Sequence, residues 1–158
     1  MEPWASFLLG VHLVGASIWV GGSVALGVVA SVLGRNARPG AADDLARIAR
    51  RLGQVMWPAL LVAIVTGAYN LTWAFPSGID PASTAGRWLT VKFALVGIVL
   101  VAGGLHSFAL APRLRSARES GRREEDVRRL VRWNRDLGVL TTVASVSVVI
   151  AAAFLAGG

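Results

Sequence analysis

Apolar positions along the chain gather into four long runs, roughly 5–33, 55–75, 88–111 and 137–156, and nearly every charge lies between them. A helix crossing the hydrocarbon core of a bilayer needs about 20 mainly apolar residues, and each run is long enough. The pattern therefore predicts an all-α integral membrane four-helix bundle, with residues 1–158 as a single transmembrane domain. The first run is too long for the core of a signal peptide and has no basic leader, so it reads as a retained span. Polar spacing refines the ends. "AADDLARIARRLGQV" puts Leu45, Ile48, Leu52 and Val55 at helical intervals behind Asp43 and Asp44, which suit a helix N-terminus, so the second span should extend into this connection. "REEDVRRLVRWNRDLG" starts acidic and turns basic, so the fourth helix should begin near Glu124. "SARESGRR" reads as a solvated turn.

Composition agrees with the pattern: 54% of the 158 residues are hydrophobic, and the mean hydropathy is +0.60. The net charge of +7 changes meaning once its placement is considered. The connection 35–53 holds Arg35, Arg38, Arg47, Arg50 and Arg51, and the connection 112–135 holds nine more arginines. Only Arg87 and Lys92 lie elsewhere. Short basic loops stay in the cytoplasm. This topology places both termini and the "PSGIDPASTAG" loop outside, in a multi-pass protein of a bacterial-type cytoplasmic (inner) membrane. The arginines are thereby explained by orientation and by anionic lipid, and no nucleic-acid partner is expected. With no cysteine, disulfides, thiolate metal sites and covalently attached c-type haem are excluded.

Few ionisable groups remain inside the spans, which makes Lys92, His12 and His106 conspicuous. Counting about 1.5 Å per residue, His12 lies roughly 12 Å inside if the first span begins at Trp4, and Lys92 about 6 Å inside if the third begins at Trp88. Their head groups can meet in the outer leaflet. His106 lies about 27 Å along the third helix, so the two histidines should mark separate sites rather than share one ion. On the first helix His12, Gly15, Trp19, Gly22 and Leu26 form one stripe, whose glycines permit close approach of a backbone or a flat ligand. Lys92, Val99, Gly103 and His106 form a second stripe on the third helix. Thr66, Tyr69, Asn70 and Trp73 lie at the outer end of the second helix, near the level of His12. Thr141, Thr142, Ser145 and Ser147 give the fourth helix a weakly polar face.

No acid pair, nucleophile triad or phosphate loop is visible, so the catalytic residues stay unassigned. Haem and copper remain as candidates. Neutral imidazole ligates haem iron, and a lysine desolvated in an apolar pocket can serve as a second nitrogen. Copper(I) accepts imidazole too, but Met1 and Met56 are not near His12 in depth and no thiolate is present. By ligand count haem b fits better.

The stretch "MWPALLVAIVTGAYNLTWAF…GRWLTVKFALVGIVLVAGGLHSFALAPRL…VRWNRDLGVLTTVASVSVVIAAAFL" resembles the CopD copper-resistance membrane domain. The shared elements are Thr66, Gly67, Gly86, Arg87 and Lys92. "HLVGASIWVGG" is similar to the first helix of CopD-like proteins and of the related HemJ-type protoporphyrinogen oxidases, four-helix membrane proteins. That resemblance implies a b-type haem held by His12 and Lys92. Where those families place a glutamate at the start of the last helix, this chain has Asn134, Arg135 and Asp136. The resulting expectation is a haem-binding redox protein, for electron transfer or porphyrinogen-type oxidation. Trp19 and Tyr69 would wall the pocket, Arg87 would meet a propionate, and Tyr69 or Asn70 would take protons. The alternatives are a copper-handling protein of CopD type, with His12 and His106 as stations on a path, and a cofactor-free assembly subunit. Beyond the lipid bilayer, an electron donor or acceptor and a second copy of the chain are the expected partners.

Overall fold

The computed structural model describes residues 3–35, 40–121 and 123–157. All regular structure among them is helical, and four helices are long and apolar enough to cross a membrane. Helix α1 spans Pro3–Arg35 and α2 spans Ala41–Ala74. Helix α3 covers Thr84–Gly104, passes through a π-helical segment Leu105–Leu110, and continues as α4, Ala111–Glu119. The last helix, α5, is Glu124–Gly157.

The helix starts follow from local chemistry. Pro3 opens α1, where its fixed φ suits the first turn and its missing N–H is no loss. Gly40, at φ 85, turns the chain into α2, and its carbonyl accepts the amides of Asp43 and Asp44 at 3.0 Å. Those two carboxylates sit at the positive end of the helix dipole. Glu124, Glu125 and Asp126 do the same for α5, after a reversal at Gly121, φ 62. Both acidic-led stretches are therefore helical and continuous with their spans.

Ser83 caps α3: its hydroxyl accepts the Gly86 amide at 3.0 Å. The helix consequently begins one turn before Trp88, and Lys92 lies eight residues, about 12 Å, along it. Replacing this cap with alanine should cost about 1 kcal/mol. Amide hydrogen exchange of Ser83→Ala should show protection lost at Gly86 and retained from Leu89 onward.

The chain divides into two compact units, residues 1–81 and 82–158. The first is an antiparallel hairpin of α1 and α2. Lipid tails are as apolar as leucine, so close packing rather than water exclusion holds such helices together, and glycine supplies the room. A Cβ on Gly15 would lie 2.7 Å from the Ala59 carbonyl oxygen, and one on Gly22 would lie 2.6 Å from Met56 Sδ. Between them Trp19, only 5% exposed, meets Trp57 edge to face with centroids 5.1 Å apart. The stripe read from the sequence of α1 is thus the face packed on α2.

The second unit pairs α3 with α5, also antiparallel. Its core is made of small or branched residues: Leu89, Val99 and Ala102 against Ala144, Ser145 and Ala151. Trp88 stacks on Phe154 at 4.8 Å and 8°, closing the open end of this hairpin. Three hydroxyls of α5 are satisfied within the helix: Thr141, Thr142 and Ser145 donate to the carbonyls four residues earlier at 2.8, 3.0 and 2.7 Å. Outward-facing Phe7, Val14, Leu61, Val101, Phe108 and Val143 are each more than half exposed. Surface of this kind is at home in hydrocarbon.

Candidate functional site

His12 sits nine residues into α1 and points at α2. Its Nδ1 lies 2.6 Å from the carbonyl oxygen of Ala63. A carbonyl can only accept, so Nδ1 is the donor here, and in the neutral ring that leaves the lone pair on Nε2. The ring fills the space beside Gly67, where a Cβ would come within 2.7 Å of His12 Cε1 and 2.9 Å of Nδ1. One further bond crowds the same oxygen: Thr66 donates mainly to the Val62 carbonyl, at 2.6 Å, and at 3.4 Å to Ala63. Metal-binding histidines are typically arranged in this way, with the second ring nitrogen donated to a carbonyl that fixes tautomer and orientation.

Asn70 lies three residues beyond Gly67 on α2. Its Nδ2 is buried with no hydrogen-bond partner among the described residues, an arrangement that costs about 1–3 kcal/mol unless something fills it. Tyr69 is off this face, about half exposed, with its ring 6.3 Å from that of Trp73. Trp19 is committed to Trp57 in the hairpin core. The first hairpin therefore brings together His12, Thr66, Gly67 and the face bearing Asn70, and leaves Tyr69 outside that cluster.

In the second hairpin Lys92 is half-buried and has no hydrogen-bond or ion-pair partner among the described residues. Arg87 is exposed and reaches back to Thr84 Oγ1 at 3.4 Å. His106 lies within the π-helical segment, with Nδ1 2.9 Å from the carbonyl oxygen of Asn134. Among the described residues, no group of three or more His, Cys, Asp or Glu side chains gathers to hold a metal ion.

Two features escaped the sequence. The carbonyls that hold the histidines have no sequence signature, since every residue carries one. The buried amide atoms of Asn70 and Asn134 could be suspected only from polar side chains within apolar or near-apolar runs.

These features describe a polytopic membrane protein with tautomer-fixed histidines packed against glycines inside its hairpins. The sequence matches the CopD family, copper resistance protein D, over residues 46–155, and the chain belongs to that family. Tyr69, Asn70, Arg87, Lys92 and His106 fall within the matched segment, whereas His12 and Trp19 precede it. No curated protein matches the chain, and no solved structure does.

Proposed function

We propose that this protein handles copper within the cytoplasmic membrane, with both termini outside, and that His12 is a ligand to copper(I) as cargo. The observation that carries this reading is the His12–Ala63 hydrogen bond, which engages Nδ1 and leaves Nε2 as the nitrogen available to a metal. Imidazole suits copper(I), and sparse coordination is compatible with an ion that must enter and leave. Membership of the copper-resistance family supports the choice of metal. Purified wild-type protein loaded with copper(I) in nanodiscs should retain copper through gel filtration, and His12→Ala should retain distinctly less. Cells expressing the variant should accumulate radioactive copper differently from wild type. Equal retention and equal accumulation would reject the assignment.

A second reading, haem b, draws on one specific observation: Lys92 is a half-buried amine without a partner among the described residues. A neutral imidazole Nε2 and a deprotonated amine are both acceptable axial nitrogens, so the donor types fit the group. In that reading His12 and Lys92 would hold the iron, Arg87 would bind a propionate and Asn70 would border the ring, while Trp19 and Tyr69, packed elsewhere, drop out of the expected pocket. Haem would supply electron transfer or porphyrinogen-type oxidation, exchanging electrons with an external donor or acceptor. Absorbance decides between the readings. A Soret band that shifts on reduction and is lost in both His12→Ala and Lys92→Ala favours haem, and a colourless protein from haem-replete cells removes it.

A further inference from the structure

We infer that His106 is a second binding position for a soft monovalent cation of the copper(I) type, built on the same plan as His12. The inference rests on the copper reading of His12 and extends it to the other hairpin. In the first hairpin, an imidazole from the leading helix donates Nδ1–H to the carbonyl of residue 63, and the glycine four residues on, Gly67, faces the ring. In the second, His106 donates Nδ1–H to the carbonyl of residue 134, and the glycine four residues on, Gly138, faces the ring. There a Cβ would lie 3.4 Å from His106 Cε1. The two helix segments read "AIVTG" and "NRDLG" and share only the glycine, so the repetition lies in the geometry.

Three further observations separate His106 from a histidine that merely satisfies a carbonyl. Its Nε2 has no hydrogen bond among the described residues, so the ring presents a lone pair inside a mostly apolar span. The side-chain oxygen of Asn134, the residue whose backbone holds the ring, is buried without a partner among the described residues. Asn70, beside the His12 cluster, likewise has a buried amide atom, its nitrogen, with no partner among the described residues. Finally, His106 sits in the π-helical turn, where the Ala111 amide bonds back to the His106 carbonyl across five residues. Such turns are rare and recur at functional positions. A purely structural role would need only the Nδ1 bond, which an unbroken helix could also provide.

Silver(I), a diamagnetic stand-in for copper(I), gives a direct test on the full chain in nanodiscs labelled with 15N-histidine. The expected result is that Nε2 of both histidines shifts on titration and that two silver ions bind per chain. His106→Gln should reduce this to one while the His12 signal still moves. Asn134→Leu keeps the carbonyl but removes the amide, and should weaken silver binding at His106 about tenfold without affecting His12. If only His12 responds and one ion binds to wild type, the inference for His106 is overturned and the assignment of His12 stands. If neither responds, both fall. Retained chemical shifts elsewhere in each variant verify that it is folded.

Discussion

Gly15→Ala is expected to push α1 away from α2 and to destabilise the first hairpin by about 1–3 kcal/mol, the usual range for overpacking. The added methyl would lie 2.7 Å from the Ala59 carbonyl oxygen and 3.2 Å from both Ala63 N and Ala63 Cβ. None of these atoms can rotate aside, because two are backbone and the third is fixed to it. Either the helices separate or the carbonyl bends from its own hydrogen bond. Gly22→Ala is the instructive contrast. Its methyl would come within 2.6 Å of Met56 Sδ, yet a thioether chain can swing away at little expense. Thermal unfolding in detergent should show a clear fall in Tm for Gly15→Ala, a small change for Gly22→Ala, and none for Gly10→Ala, which has open space around it. Equal losses at Gly15 and Gly22 would refute close backbone approach as the basis of this interface.

Gly67→Ala should have the largest effect on metal binding of any substitution that leaves all histidines in place. A methyl there would lie 2.7 Å from His12 Cε1 and 2.9 Å from Nδ1, so the ring must leave its seat. The Nδ1–H then loses the Ala63 carbonyl, and with it the bond that fixes tautomer and direction. Loss of such an outer contact commonly lowers metal affinity 10–100-fold. A copper(I) competition titration should find a fall of that order, with helicity by circular dichroism unchanged. Gly138→Ala meets His106 at 3.4 Å, only slightly tighter than ordinary contact, so its effect on the second imidazole should be much smaller. An unchanged affinity in Gly67→Ala would mean that the seat of His12 does not matter for binding.

The four spans were legible because hydropathy reports directly which segments tolerate hydrocarbon, and every run identified that way is helical. The packing face of α1 was legible for a related reason: His12, Gly15, Trp19 and Gly22 recur at three- and four-residue intervals, and only one neighbouring helix need satisfy them. The start of α3 was read too late. Apolar content begins at Trp88, but backbone hydrogen bonding begins at Ser83, whose hydroxyl caps a turn too polar to register as membrane-spanning. The π turn was invisible, because no proline or other breaker marks it. The histidine seats were half visible: side chains and glycines could be seen in the sequence, whereas their carbonyl partners and pairing distances arise only from folding. Tyr69 shows the limit of judging by level alone, since it lies at the height expected for the His12 site yet occupies another face of α2.

The π turn between Leu105 and Leu110 also bears on how the second hairpin tolerates changes in length. A π turn is equivalent to one residue absorbed within a single turn, so the helical segments on either side keep their phase while the turn itself widens. Helix α3 and its continuation thus contain one residue more than an uninterrupted α-helix of the same phase would hold. Removing a residue from this turn would restore a continuous α-helix and leave the contacts with α5 at Leu89 and Val99 intact. What would change is the direction in which His106 leaves the backbone. In this region the chain trades an uninterrupted hydrogen-bond ladder for the aim of one imidazole, so insertion and deletion here separate the hairpin's architecture from its chemistry.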